Sequence, residues 1–236
     1  SNTLIRDNGI RGVVIKLGQS FSKINLLNKN TIEVGAATLD RKISNFAKDN
    51  DIGNLEFLSC IPGTIGGAVI MNSGCYGYDI SQVLVGIKVI DLNKCEEKEI
   101  KRDEIEFYYR GTNLPSGMLI TSVKLKGKNE SKNLIEKKQN KFIEKKKLSQ
   151  PNQIKTCGST FKNISDEKKA WQIIKQTGCD KFSEGDAVIS KKHCNFFVNN
   201  GKAKSADIEK LINKVKKAVS EKTGINLELE IKIIGE

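Results

Sequence analysis

Cys60-Ile61-Pro62-Gly63-Thr64-Ile65-Gly66-Gly67-Ala68 is the stretch on which the fold reading turns. Closely spaced glycines let backbone N–H groups approach an anion, and several such groups together form a nest. Pro62 followed by Gly63 presets a turn. The run is not Gly-x-Gly-x-x-Gly, and no Gly-Lys-Ser/Thr follows, so it matches neither the dinucleotide fingerprint nor the P-loop. On chemistry alone, a plain tight turn and a phosphate cradle are equally good readings. Met71-Asn72-Ser73-Gly74-Cys75-Tyr76-Gly77 then adds small residues, an amide and a phenol. The two segments together favour the cradle.

The flanking sequence reads as mixed α and β structure. Val13 to Leu17 reads as a buried strand, and Thr31 to Val34 as another, with Asn28-Lys29-Asn30 a turn before it. Leu39, Ile43, Phe46 and Ala47 fall at helical spacing. Val83 to Asp91 is strand-like, and Lys98 to Ile100 pairs back across Asn93-Lys94. Met118 to Lys126 is a further strand. From Gly127 to Lys155 the chain turns polar and lysine-rich, with a sparse apolar stripe of Leu134, Ile135, Phe142 and Ile143. This reads as a boundary followed by a surface helix, giving domains 1–126 and 127–236. Near the end, Ser205 is an expected N-cap, and Ile208, Leu211, Ile212, Val215 and Val219 form one helical face. Gly224 stops that helix, and Leu227 to Ile233 alternates as a strand.

Bulk properties narrow the partners. The formal net charge is +12, yet arginine stands only at 6, 11, 41, 102 and 110. Arginine forks are the preferred readers of bases and phosphates. The lysine-rich segment also lacks interleaved aromatics for base stacking. A solvated lysine surface is therefore the better reading, and no nucleic-acid partner is expected. No segment approaches the roughly 20 apolar residues of a membrane helix, and the polar start does not read as a signal peptide. The six cysteines form no C-x-x-C pair or zinc spacing, and His193 is the only histidine. No metal site is expected. Free thiols in a reducing cytoplasm are the simplest reading.

The glycine-rich stretch and Met71–Gly77 resemble the FAD-contacting loops of the UDP-N-acetylenolpyruvoylglucosamine reductase (MurB) family. That family shares its flavin fold with the vanillyl-alcohol-oxidase/PCMH type. Further segments make the resemblance specific. Ser1-Asn2-Thr3-Leu4-Ile5-Arg6-Asp7 looks like the family's segment at the FAD pyrophosphate. Phe107-Tyr108-Tyr109-Arg110 looks like its Tyr-Arg motif. Cys157-Gly158-Ser159-Thr160-Phe161-Lys162-Asn163 and Glu228-Leu229-Glu230-Ile231-Lys232-Ile233-Ile234-Gly235 look like its catalytic serine and glutamate segments. These matches run in family order along nearly the whole chain.

The resemblance implies an α+β fold: a flavin domain with its first lobe largely missing from this chain, then a smaller α+β substrate domain whose final strand returns to the active site. It implies an NADPH-dependent, FAD-bound UDP-N-acetylmuramate dehydrogenase, a cytoplasmic monomer acting on a UDP-sugar. Ser159, Arg110 and Glu230 would be catalytic. Ser1, Asn2, Ile61, Pro62, Gly63, Thr64, Ile65, Gly66, Gly67, Asn72, Ser73, Gly74 and Tyr76 would contact FAD. Tyr109, Lys145, Lys146, Lys162 and Asn163 would contact substrate. Each has a plainer reading. A serine beside a glycine is usually a turn residue, Arg110 could be a surface arginine over an aromatic, and Glu230 could sit on a solvated strand face. His193 reads as structural. The sequence departs from the family at Cys60, where relatives carry glycine, and across Lys181–Ala187. An N-terminally truncated remnant that no longer holds FAD, and a basic nucleic-acid-binding protein, stand as the alternatives.

Overall fold

The computed structural model describes residues 2–165 and 167–236. It divides into two compact units, Ile15–Lys146 and Ser1–Val14 with Lys147–Glu236. Each is taken by itself.

The unit Ile15–Lys146 is built on a five-stranded antiparallel sheet. Its order is Ile24–Asn28, Thr31–Gly35, Met118–Lys126, Leu84–Asp91, Glu96–Lys101. Met118–Lys126 is central because its alternation gives one apolar face, with Ile120, Val123 and Leu125 buried. Val123 pairs with Val34 on one side and Ile87 on the other, all buried. The edge strand Glu96–Lys101 is almost wholly charged, which discourages pairing with another chain. The expected turn at Asn28–Asn30 is present, and the Asn30 N–H donates to Asn28 Oδ1 at 3.2 Å.

Helix α1, Asp40–Asp49, buries Ile43 and Ala47 against this core. A short helix α2, Ile65–Ile70, follows the glycine-rich turn. Helix α3, Lys132–Ser149, buries only Ile135 and Gln139. Gln139 Nε2 donates to the Ser44 carbonyl at 3.0 Å and to Ser44 Oγ at 2.7 Å, which ties α3 to α1. The unit boundary therefore differs from the one expected at Gly127. The lysines of α3 mark its solvent face, and its few buried groups complete the first core.

One expected strand is corrected. Val13 to Leu17 forms no strand, and Val13, Val14 and Ile15 are 90%, 70% and 60% exposed. An apolar run forms a strand only with a ladder partner to satisfy its backbone, and none is found among the described residues.

The second unit contains a four-stranded antiparallel sheet, ordered Thr156–Ser159, Phe196–Asn199, Ala187–Ile189, Ser183–Glu184. Helices α4, Ala170–Gln176, and α5, Ser205–Thr223, supply its apolar cover. The predicted stripe of α5 is buried, and burial of each such side chain contributes roughly 1.5–3 kcal/mol. Gly224 ends α5 in the left-handed region at φ 70°, as expected of a stop residue. The α5 N-terminus differs from expectation. Lys204 is the N-cap, and Ser205 is the first helical residue. Asp7 supplies the acceptors there, taking the Ser205 hydroxyl at 2.8 Å and its N–H at 3.0 Å. Arg6 forks onto Glu209 at 2.8 and 2.9 Å. The C-terminal alternation is realised in part. Regular strand covers Lys232–Ile234, which pairs in parallel with Thr3–Ile5, while Leu227 and Ile231 are buried.

Candidate functional site

In the unit Ser1–Val14 with Lys147–Glu236, backbone pairing gathers distant segments. Glu230 N–H donates to the Thr160 carbonyl at 2.9 Å, and Lys162 N–H donates to the Glu228 carbonyl at 2.9 Å. Phe161 and Leu229 form an antiparallel bridge between them. The Ser159 and Glu230 segments are thus neighbours. Lys232 N–H donates to the Asn2 carbonyl at 2.9 Å, which brings the N-terminal segment alongside. Gly158 sits at φ 83°, and a Cβ there would lie 2.8 Å from Asn2 Oδ1. Asn2, Ser159 and Glu230 therefore share one neighbourhood. Ser1 lies outside the described residues.

The two glutamates of this segment differ. The Glu228 side chain is 76% exposed and pairs with Lys162 Nζ at 3.4 Å. Glu230 is only partly exposed. Of the two, Glu230 is the less exposed to solvent. Asn163 Oδ1 accepts the Ala170 N–H at 3.2 Å, which also gives it a structural part at the start of α4.

The Ser159 segment is held by a residue that sequence reading passed over. Asn195 is 3% exposed. Its Oδ1 accepts the Phe161 N–H at 2.9 Å, and its Nδ2 donates to the Phe161 carbonyl at 2.8 Å. Its own carbonyl takes the Thr160 N–H at 2.8 Å. The only sequence signal was an asparagine just after the lone histidine. His193 packs edge-on to Phe196 with ring centroids 4.9 Å apart, and burial lowers its pKa.

In the unit Ile15–Lys146, the glycine-rich turn lies against residues 36–40. Ile65 N–H donates to the Thr38 carbonyl and Gly66 N–H to the Ala36 carbonyl, both at 3.0 Å. A Cβ at Gly66 would meet the Ala36 Cβ at 3.0 Å, so only glycine fits there without displacement. Gly63 adopts φ 130°, and its carbonyl accepts the Asp40 N–H at 3.2 Å. Gly67 is exposed, with nothing within 4 Å of its Cβ position. Pro62 is exposed and Ile61, Gly63 and Thr64 are half-buried. The Gly67 backbone is therefore open to solvent without side-chain cover, as close approach of a phosphate-bearing cofactor requires. Beneath the turn, Thr38 Oγ1 and both Asp40 carboxyl oxygens are buried without a partner. Burial pushes the Asp40 pKa up to about 7.

The Met71–Gly77 segment and the Tyr-Arg motif meet in the same unit. Tyr109 and Arg110 are the loop of a tight hairpin in which Gly111 pairs with Tyr108. Arg110 takes φ 60°, a conformation that costs a non-glycine residue about 1–2 kcal/mol. Its guanidinium lies 4.8 Å from the Tyr109 ring centroid, and Nη2 donates to the Gly74 carbonyl at 3.4 Å. Asn72 is buried, bonding the Tyr108 carbonyl at 3.3 Å and the Ser81 N–H at 3.1 Å. Tyr76 stacks on Phe142 at 5.3 Å, with Lys145 Nζ 4.7 Å from its ring centroid. Lys146 Nζ donates to the Cys60 carbonyl at 2.7 Å. Arg110, Lys145, Lys146, Asn72, Ser73, Gly74 and Tyr76 thus form a basic cluster beside the turn. A cluster of fixed cations and backbone amides suits a ligand carrying phosphates or a carboxylate.

Comparison with known proteins agrees. Residues 1–97 match the model of an FAD binding domain, and residues 150–234 match that of the UDP-N-acetylenolpyruvoylglucosamine reductase C-terminal domain. The chain is 48% identical over 236 residues to the UDP-N-acetylenolpyruvoylglucosamine reductase of Pelagibacter ubique, covering 99% of this chain and 78% of that protein. It is 41% identical over 235 residues to that of Wolbachia pipientis wMel, covering 100% and 79%. The crystal structure of the MurB reductase from Thermus caldophilus superposes with a TM-score of 0.87 at 32% identity, covering 99% of this chain and 82% of that one. The chain belongs to the UDP-N-acetylenolpyruvoylglucosamine reductase family, with its PCMH-type FAD-binding domain and MurB C-terminal domain.

Proposed function

We propose that the chain reduces UDP-N-acetylglucosamine enolpyruvate to UDP-N-acetylmuramate, using NADPH, as a step of peptidoglycan synthesis. The observation that carries this reading is the pairing of the Ser159 and Glu230 segments through Thr160 and Glu230, in a chain with 48% identity to a named reductase.

The residues present fit FAD, because Gly67 at the end of the turn faces open space with no side chain of its own to fill it. When bound, FAD would supply the hydride chemistry that links NADPH to one carbon of the enolpyruvyl double bond. Ile61 to Gly67, Asn72 to Gly74 and Tyr76 would hold it, with Asn2. The protein's own groups then manage charge and a proton. Negative charge left on the substrate is delocalised into its carboxylate, where the Arg110 guanidinium stabilises it, with Glu230 contributing only as the acid that donates a hydrogen bond. The Ser159 hydroxyl donates the proton that completes the saturated carbon. Even a weak acid serves, since a carbanion is a strong base. Tyr109, Lys145, Lys146, Lys162 and Asn163 orient the substrate, the lysines acting as point charges on its diphosphate.

In this reading the unit Ile15–Lys146 carries the flavin-holding loops, and Lys147–Glu236 carries the serine and glutamate. Among the described residues no helix is long and apolar enough to cross a membrane. The six cysteines are free thiols, which suits a reducing compartment. The test is a stopped-flow experiment on FAD-loaded protein. NADPH should bleach the flavin absorbance, and the enolpyruvyl substrate should restore it. Bleaching with no recovery on adding substrate rejects this function.

A further inference from the structure

Cys60 lies at the end of the 3₁₀ turn Glu56–Cys60, and Cys75 lies in the short strand Gly74–Cys75. The strand packs against the turn, which brings the two thiols close enough to interact. Cys75 Sγ also lies 3.5 Å from the Phe57 carbonyl in the same turn, and Ser59 Oγ lies 3.7 Å from Cys60 Sγ. Lys146 places its ammonium on the Cys60 carbonyl at 2.7 Å, while Arg110 donates to the carbonyl of Gly74 at 3.4 Å. A thiol pair thus sits between two cations, with backbone on either side of it.

We infer that Cys60 and Cys75 form a peroxide-sensitive dithiol, with Cys60 the attacking sulfur and Cys75 the resolving one. The Cys60 thiolate attacks one oxygen of a hydroperoxide. The O–O bond breaks, and hydroxide leaves and takes up a proton as water. The Cys60 sulfenic acid is then attacked by Cys75, whose proton leaves with the sulfenic oxygen as a second water. In sum, two thiols and one hydrogen peroxide give one disulfide and two waters. The hydrogen bonds to Cys60 from Cys75 and Ser59, with the Lys146 charge, lower its pKa to about 6. The neighbouring sulfur and burial raise that of Cys75, which keeps it protonated until the second step.

The consequence follows from where the link falls. The ring it closes contains Ile61 to Gly74, and hence most of the proposed flavin contacts. Its two ends carry the carbonyls that hold Lys146 and Arg110. Oxidation would therefore lock the cofactor turn and the basic cluster together.

The experiment titrates the full-length, FAD-loaded protein with hydrogen peroxide and maps its peptides by mass spectrometry. A Cys60–Cys75 peptide should appear first and vanish with dithiothreitol. Cys75→Ser should instead accumulate a dimedone-reactive sulfenic acid at Cys60, and Cys60→Ser should form neither product. The alkylation rate of Cys60 should fall about tenfold between about pH 7 and about pH 5. An ordinary thiol with a pKa near 8.5 should fall about a hundredfold. Oxidation of the exposed Cys95 ahead of the pair, or a Cys60 that alkylates with the ordinary pH profile, overturns the inference. None of these readouts requires reductase turnover.

Discussion

The Glu230 amide donates to the Thr160 carbonyl at 2.9 Å, one residue beyond Ser159. That bond joins parts of the chain far apart in sequence, and it lays the Ser159 and Glu230 segments side by side. If Ser159 is the proton donor, its loss should spare the first half-reaction. Ser159→Ala is expected to keep flavin reduction by NADPH at its normal rate. Turnover of the enolpyruvyl substrate should drop by about 10²–10⁴, the usual contribution of a positioned acid. Near-normal turnover in single-mixing stopped flow removes Ser159 from the mechanism.

Arg110 is expected to behave differently from a surface arginine. Its left-handed backbone at φ 60° and its contacts with Gly74 and Tyr109 fix the guanidinium in place. Lysine keeps the charge and loses the planar fork. Arg110→Lys should therefore retain FAD and lose about 10²–10³ in kcat with the enolpyruvyl substrate, comparable to removing one fixed oxyanion donor. A variant with wild-type kcat would return Arg110 to the plain role of an exposed cation over an aromatic ring.

Asn195 deserves a test because it supports Ser159 without being a proposed catalytic group. Truncation to alanine leaves the buried Phe161 N–H and carbonyl without their partners at 2.9 and 2.8 Å. Each unsatisfied buried group costs about 1–3 kcal/mol. Asn195→Ala should lose roughly 2–6 kcal/mol in urea unfolding, where the two costs add. A loss under about 0.5 kcal/mol would mean that water or a neighbour replaces the amide.

Legibility varied along the chain for physical reasons. Met118–Lys126 and α5 announced themselves because alternation and helical spacing record burial on one face, and Ile120, Val123, Leu211 and Val215 are indeed buried. Val13 to Ile15 misled because an apolar run records composition and not pairing. The lysines of α3 suggested a new domain, whereas one buried glutamine ties the helix to α1. The candidate site was legible only through resemblance. A serine beside a glycine carries no signature of its own, and Glu230 was singled out over Glu228 by the resemblance alone, both lying on the polar side of one alternating segment. Asn195 escaped notice because its partners lie far away in sequence. Nothing local to Lys191–Phe196 predicts them.

Gly158 next to Ser159 is a position where one methyl group should matter. It holds φ 83°, and a Cβ there would press on Asn2 Oδ1 at 2.8 Å. The left-handed backbone alone costs an L-residue about 1–2 kcal/mol. Gly158→Ala should lower the melting temperature and weaken FAD retention, because Asn2 must move. Flavin fluorescence after gel filtration reads the second effect. If the variant keeps its flavin and its melting point, the Asn2 side chain has room to shift and does not hold the cofactor.

Asp40 should leave its mark on the pH dependence of stability. Its side chain is 1% exposed, neither oxygen has a partner, and burial raises its pKa to about 7. In the unfolded chain the same group titrates near about 3.9. Between those values the folded state keeps a proton that the unfolded state has released. Stability from this residue is therefore full below about pH 4 and falls as pH rises, until it is lost past the folded value. At about 1.36 kcal/mol per unit, the loss amounts to as much as about 4 kcal/mol. Asp40→Asn removes the titration and keeps the shape. Several other carboxyls, among them Asp91 and Glu33, have lowered values and slope the opposite way. The wild-type-minus-variant difference isolates Asp40 from them. Urea midpoints measured from about pH 4.5 to about pH 8 should converge on the variant's value at low pH or cross it, with wild type losing ground as pH climbs. Parallel curves for the two proteins would mean that Asp40 keeps the same charge throughout, and the burial argument would fail.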